Sequence, residues 1–182
     1  RREGMYFIKI DKELDQGLTL FNFGGSFPEV KTPEEMMEPL FYLTTMAEYR
    51  DLRKQPNRKL AVDDFWLKHG NNMERSRELI RIYYNRVYFS NYYFSNTVPG
   101  WKTDRGMVYI VYGPPNNMQK TPNSETWIYY MKGSSNSIEF NFNYKPNNYS
   151  LDNYVLTRSE SHDWHWREAV DAWRGGEIFL SD

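Results

Sequence analysis

The segment 100–115, GWKTDRGMVYIVYGPP, limits the folds open to this chain more than any other part of its sequence. It begins with residues typical of turns: two glycines, and Thr103 and Asp104, whose short side-chain oxygens bond to nearby backbone N–H groups. Residues 107–112 are β-branched and aromatic for the most part, which favours a strand. The Gly-Pro-Pro sequence at 113–115 cannot continue a central strand. The segment therefore predicts a tight loop that leads into a β-strand.

The side chains of this loop allow two interpretations. In the first, Trp101 anchors the loop and Arg105 donates to a carboxylate or to carbonyl groups at a helix end. We favour it because turn geometry alone explains these residue types. The alternative is a loop that faces a ligand. The candidate binding residues then come from the loop and from the strands predicted beside it: Trp101, Asp104, Arg105, Tyr112, Glu125 and Trp127.

Residues 1–30 predict a β-hairpin. Two runs rich in strand-forming residues, at 5–10 and 18–23, are separated by a polar connector. A lone two-stranded hairpin is at best marginally stable, so this one must pack on another part of the protein. It is either integral to the main domain or the end of a preceding β domain. We therefore divide the chain into the hairpin, 1–30, and an α+β domain, 31–182.

Helices are predicted next along the chain. Thr32 and Glu35 match a capping box around Pro33, which suits the first position of a helix. Pro39 should kink this helix or end its first section. Start and stop signals place the remaining helices at 45–54, 57–69, 72–95 and 163–173.

Strands are predicted in the second half of the chain, after a polar loop at 116–124. Residues 125–131, 138–144 and 154–158 alternate with period two. With the strand at 107–112 they predict an antiparallel meander with one face covered by helices. The predicted fold class is α+β: an N-terminal helical section packed on a C-terminal antiparallel sheet of about four strands, with a short N-terminal β-hairpin.

The pattern Gly100-Trp101-x-Thr103-Asp104 resembles the signature of the bacterial GWxTD-domain family. The resemblance extends over residues 32–158, including FWLK at 65–68, YFS at 93–95 and ETWIYY at 125–130. It implies an exported, multidomain protein of the periplasm or cell envelope, whose partners are other domains of the same chain or other envelope proteins. It implies no particular reaction.

Composition removes several classes of function. A net charge of -1 gives no general attraction to nucleic acid. No run approaches the roughly 20 apolar residues of a membrane-spanning helix. The sequence contains no recognised nucleotide, metal or nucleophile motif, so we predict no cofactor and no catalytic residues. The chain begins at Arg1 without a Met, which we interpret as a fragment or a processed form.

His162 and His165 lie three residues apart, on one face of the last predicted helix. A metal site that includes Asp163 is one interpretation of this pair. We favour the start of a surface helix and predict no metal, because zinc ligand sets are usually larger and more clearly spaced.

Three functions remain open. The first is a non-catalytic interaction module of a larger bacterial cell-envelope protein. The second is a carbohydrate- or peptidoglycan-binding module that uses a row of exposed rings: Trp101, Trp127, Tyr129, Trp164 and Trp166. The third is a carboxylate-dependent hydrolase built on Asp104 and Glu125. The aromatic content of 18% favours an aromatic core over an exposed aromatic surface, because large rings are usually mostly buried.

Overall fold

Six α-helices and two antiparallel sheets make up the part of the chain that the computed structural model describes, residues 2–9, 11–13, 17–131 and 136–179. The larger sheet has four strands and the smaller one has two, which confirms the predicted α+β class. The connector between the strands predicted at 125–131 and 138–144 lies for the most part outside the described residues. Residue 10 of the predicted hairpin and residues 14–16 of its connector also lie outside them.

The predicted N-terminal hairpin is present. Strand β1 (Gly4–Lys9) pairs antiparallel with β2 (Gly17–Asn22). A ring contact joins it to the rest of the described fold, where Phe7 of β1 meets Tyr149 edge to face at 6.1 Å.

The first four helices start where capping residues predict them, whereas the last helix, predicted from 163, starts at Glu160. Helix α1 (Pro33–Met37) has the capping box of Thr32 and Glu35, and a 3₁₀ turn (Glu38–Leu43) follows at Pro39. Three further helices are each capped by the polar residue that precedes them: α2 (Met46–Lys54), α3 (Arg58–Gly70) and α4 (Met73–Phe94). Capping is a local interaction, which is why the sequence predicts it well.

The strand predicted at 107–112 is wrong, because these residues form helix α5 (Asp104–Tyr112) after a 3₁₀ turn (Gly100–Lys102). The Thr103 hydroxyl oxygen accepts from the Gly106 N–H at 3.1 Å and caps the helix, and Asp104 lies in its first turn. Val108, Ile110 and Val111 are fully buried in the core. Burial in the core therefore overrides the strand preference of these side chains.

The four-stranded sheet has the order β3-β4-β5-β6, and each neighbouring pair is antiparallel. Its first strand was predicted at the wrong place: β3 (Asn117–Lys120) lies in the segment predicted as a polar loop. The other strands lie where alternation predicts them: β4 (Ser124–Tyr130), β5 (Ser137–Tyr144) and β6 (Tyr154–Leu156). Every second residue of β4 and β5 is buried, so one face of the sheet packs on the helices.

Aromatic side chains fill the core, as the composition predicts. Trp66 of α3 lies 5.2 Å from Tyr83 of α4 and 6.3 Å from Trp173 of helix α6 (Glu160–Arg174), measured between ring centroids. All three rings are fully buried. None of the helices described is long and apolar enough to cross a membrane.

Candidate functional site

Two glycines of the signature segment bring three pieces of backbone into contact. A Cβ on Gly100 would lie 1.8 Å from the carbonyl oxygen of Ser90, on α4. A Cβ on Gly106, in the first turn of α5, would lie 1.9 Å from the carbonyl oxygen of Gly100. Neither position has room for a side chain. The glycines therefore set how closely α5 and the preceding 3₁₀ turn approach α4.

Trp101 and Thr103 fix the turn between these helices. The Trp101 backbone N–H donates to the Asn91 side chain at 3.1 Å, and its carbonyl accepts from the Tyr42 hydroxyl at 2.7 Å. The Trp101 ring is half-buried and meets the Tyr42 ring at 6.1 Å. The Thr103 hydroxyl donates to the Gly100 carbonyl at 2.8 Å while it caps α5. The bonds of both residues are made within the fold.

Asp104 and Tyr112 join α5 to its surroundings. Asp104 accepts from the Leu156 backbone N–H of β6 at 2.8 Å and pairs with Arg158 at 3.4 Å. Tyr112 is buried between rings of the sheet, 5.4 Å from Tyr129, and burial raises the pKa of its hydroxyl. Neither side chain lines the cleft described next.

Arg105 lies at the base of a cleft between α5, β4 and the loop before β6. Its guanidinium nitrogens lie 3.3 Å from the Glu125 carboxylate and 2.5 Å from the Asp152 carboxylate. The same group lies over the rings of Phe94, at 5.1 Å, and Tyr154, at 4.5 Å. Arg105 is only 4% exposed. Two carboxylates and two rings thus compensate for the loss of water around this charge.

Glu125 is held in the charged state by its neighbours. One carboxylate oxygen lies 2.9 Å from the Lys120 ammonium group, and the other accepts from the Trp127 indole N–H at 3.2 Å. Burial alone would raise the pKa of Glu125. The hydrogen bond from Lys120, the nearby positive charges and the bond from Trp127 outweigh burial, so the pKa of Glu125 lies below its ordinary value.

The cleft has a volume of about 790 Å³. Its charged lining residues are Arg105, Lys120, Glu125 and Asp152. Its walls are mostly rings and short apolar or amide side chains: Tyr93, Phe94, Tyr109, Pro114, Pro115, Asn116, Asn117, Met118, Trp127, Leu151 and Tyr154. Of the six candidate binding residues, Arg105, Glu125 and Trp127 line it, whereas Trp101, Asp104 and Tyr112 do not.

Sequence reasoning missed Lys120, Asp152, Tyr154 and Tyr93. A signal was available for Lys120 alone, because the Pro-Asn pair at 122–123 favours a turn that places Lys120 opposite Glu125 in the hairpin of β3 and β4. The other three come from segments with no local pattern that points to Arg105.

The row of five exposed rings predicted for a carbohydrate surface is not formed. Trp127 and Tyr129 are fully buried, Trp101 and Trp166 are half-buried, and Trp164 is 62% exposed.

The two histidines of α6 face groups of the protein itself. His162 Nε2 lies 2.9 Å from the Glu139 carbonyl oxygen, and His165 Nδ1 lies 3.7 Å from the Glu168 carboxylate. In the described part of the chain, no three His, Asp or Glu side chains are grouped to hold a metal ion.

A second surface feature is the outer face of the hairpin. Tyr6 lies opposite Leu20 and Ile8 lies opposite Leu18, so the four side chains share one face of the two-stranded sheet. They are 44%, 47%, 52% and 59% exposed for Tyr6, Leu20, Ile8 and Leu18 respectively. We call these four residues the hairpin face. It is an apolar patch with no covering element among the described residues.

Comparison with known proteins identifies the family. A family model described as the GWxTD domain matches residues 4–175, so the chain belongs to the GWxTD-domain family. The match is longer than the stretch 32–158 on which the resemblance rests, and it includes both the hairpin and α6. No curated protein and no solved structure matches the chain.

Proposed function

We propose that this GWxTD-domain chain is a non-catalytic interaction module of a larger bacterial cell-envelope protein, and that it docks a β-sheet of a neighbouring domain on the hairpin face. The observation that carries the proposal is the exposure of Tyr6, Ile8, Leu18 and Leu20 on one face of a sheet. Contiguous exposed apolar patches on soluble domains usually mark interaction surfaces.

The partner chemistry follows from the hairpin itself. β1 and β2 pair only with each other, so within the described residues each strand has one unpaired edge. An apolar sheet face and open strand edges together suit another β-sheet, which packs on the face or extends the edge. The other face of the hairpin contacts the domain through Phe7, whose ring meets Tyr149, so the four side chains of the hairpin face lie on the side away from that contact.

The carboxylates argue against the hydrolase alternative. A paired-carboxylate hydrolase needs one acid with a raised pKa that can donate a proton. Glu125 has a lowered pKa and accepts from Lys120, Arg105 and Trp127. Asp104 is bonded to the β6 backbone and to Arg158. Both groups are used to join secondary-structure elements.

Site-specific photo-crosslinking in the full-length protein, in its bacterial host, tests the docking surface. A crosslinking amino acid replaces Ile8 or Leu18, and the matched control replaces Leu67 of α3, which is apolar and 39% exposed but outside the hairpin face. We expect crosslinks from 8 and 18 to strand residues of another domain, and far fewer from 67. Equal yields at all three positions would refute the proposal, and so would products that join only two copies of this domain.

Localisation has a separate test. Fractionation of the host cell should recover the protein with periplasmic or envelope markers. Recovery with cytoplasmic markers would refute the envelope part of the proposal and leave the crosslinking result to be judged alone.

A further inference from the structure

We propose that the cleft above Arg105 binds a short, uncharged oligosaccharide. This site goes beyond the proposed docking function and does not include the hairpin face. It involves the C-terminal end of α4, helix α5, whose first turn carries Arg105, and strands β3 and β4. Of the row of five rings predicted from the sequence, Trp127 alone lines the cleft, so the row as such is not the binding surface. Four observations support the proposal: the size of the cleft, its balanced charge, an unsatisfied hydrogen-bond donor beside an exposed acceptor, and an exposed ring among the lining residues.

The size is that of a ligand site. Pockets that bind small molecules generally measure about 300–1,000 Å³ and combine apolar walls with a few polar groups. The cleft measures about 790 Å³ and has this composition. A ligand of several sugar rings suits this volume better than a single ion does.

The charge of the residues that line the cleft is balanced. Arg105 and Lys120 are cations, Glu125 and Asp152 are anions, and each cation is paired with at least one of the anions. The lining therefore offers no net charge to an ionic ligand. A neutral ligand that both donates and accepts hydrogen bonds suits it better.

Polar capacity remains after these pairs are made. The Nε of Arg105 is buried and has no hydrogen-bond acceptor among the described residues. This nitrogen has almost no exposed surface, so a ligand oxygen reaches it only if the Arg105 side chain shifts. A buried N–H without an acceptor is costly, which favours that shift when an oxygen is available. The Asp152 side chain is 40% exposed and can accept from a hydroxyl group. Hydroxyl groups of a sugar supply both the acceptor and the donor.

An exposed ring stands at the rim. Tyr93 lines the cleft and is 54% exposed. Its ring lies nearly parallel to that of Phe89, with an interplanar angle of 12° and centroids 5.8 Å apart. This stacking holds the Tyr93 ring in place as a flat apolar surface with a polar tip. Such a surface fits the apolar face of a pyranose ring.

A peptide is the competing ligand, and the edge of the sheet disfavours it. Strand β3 forms one wall of the cleft, and an extended peptide would have to pair with it. However, β3 has only four residues, follows Pro114 and Pro115, and ends at Lys120. Short length, proline and lysine are features that protect sheet edges from pairing with another chain.

Titration calorimetry with neutral trisaccharides tests the proposal. The probes are maltotriose, cellotriose and the β-1,4-linked trimer of N-acetylglucosamine, each added to the intact chain. Tyr93→Ala is the test variant. Tyr130→Ala is its matched control, because Tyr130 is also an exposed tyrosine, at 45%, and does not line the cleft.

We expect saturable binding of at least one probe, weakened about tenfold by Tyr93→Ala and unchanged by Tyr130→Ala, because only Tyr93 loses apolar contact area with the ligand. Absence of binding to all three trisaccharides would overturn the proposal, as would equal losses in the two variants. Binding to an extended uncharged peptide and to none of the sugars would also overturn it. A Leu18→Asp variant should keep sugar binding, which separates this result from the fate of the docking proposal.

Discussion

Replacing Gly106 by alanine tests whether close backbone contact or intrinsic helix propensity decides the stability of the protein at this position. Gly106 lies in the first turn of α5, where alanine is intrinsically the better residue by about 1 kcal/mol. Propensity alone therefore predicts that Gly106→Ala stabilises the protein. The structure predicts the opposite sign, because the new Cβ would lie 1.9 Å from the Gly100 carbonyl oxygen and 2.7 Å from its carbonyl carbon.

The size of the effect follows from what must move. The contacting atoms are backbone, and Gly100 is itself in close contact with the Ser90 carbonyl, so neither side can yield by a rotamer change. Overpacking a core usually costs about 1–3 kcal/mol, and a backbone clash lies at the upper end of that range. After the propensity gain of about 1 kcal/mol, we expect a net loss of about 2 kcal/mol in the free energy of unfolding. For a chain of this size the Tm should fall by about 4–8 °C.

Urea denaturation followed by tryptophan fluorescence and circular dichroism measures this loss. The matched control is Gly25→Ala, at an exposed glycine whose added Cβ meets nothing within 4 Å. The control should change the free energy of unfolding by no more than about 0.5 kcal/mol. If Gly106→Ala were as stable as the wild type or more so, the close approach of α5 to the Gly100 backbone would be refuted.

Two further stability predictions concern single side chains. Thr103→Ala should lower the free energy of unfolding in urea by about 1 kcal/mol through loss of the α5 cap, while Thr103→Ser, which keeps the hydroxyl, should recover most of it. The hydrogen bond from Arg174 lowers the pKa of Glu48 from 4.5 to about 2. A depressed carboxyl pKa stabilises the fold above pH 4.5, and this contribution is lost as the pH falls from 4.5 towards about 2. Glu48→Gln should therefore lower the free energy of unfolding by about 1 kcal/mol at pH 7. Thermal unfolding should also show that the stability of this variant depends less on pH between 4.5 and about 2. An unchanged pH dependence would contradict the pairing of Glu48 with Arg174.

Local signals explain most of what the sequence predicted correctly. Thr32, Asn57 and Asn72 each accept a backbone N–H of the helix that they precede, and each helix begins where these residues predict it. The alternation of β4 and β5 likewise depends on neighbours two residues apart. Interactions of this range are fully present in a short stretch of sequence, so they can be predicted from it.

The error at α5 arose because two local signals conflicted. The side chains of 107–112 favour a strand, whereas Thr103 and Asp104 before them and Gly113 and Pro114 after them are helix start and stop signals. We interpreted those flanking residues as turn chemistry. The flanking signals were correct, because the helix is buried on several sides and every large apolar side chain in it gains contacts. The miss of β3 has a different cause: its four residues are all exposed and show no alternation.

Three lining residues of the cleft were candidates from the sequence: Arg105, Glu125 and Trp127. Arg105 and Glu125 meet as a buried pair. Arg105 also donates a hydrogen bond to the backbone carbonyl of Asp152, which lies 47 residues further along the chain. No local pattern in the sequence indicates that contact. Tyr93 lies in the helix predicted at 72–95, and it was not among the candidate binding residues. Its position at the rim of the cleft depends on the direction in which α4 ends, and this is set by packing.

The two interpretations of the signature, a folding device or a ligand-facing loop, are not exclusive. Thr103, Asp104 and Gly106 are occupied by contacts within the fold, to Gly100 or to β6. Arg105 lies among them and is the residue of this turn that lines the cleft. Its two acidic partners come from β4 and from the loop before β6, so the pairs form only when α5 is correctly seated on the sheet. The fixed geometry of the neighbours is therefore what positions Arg105. A change at either glycine should weaken ligand binding in the cleft as well as stability, even though neither glycine lines it.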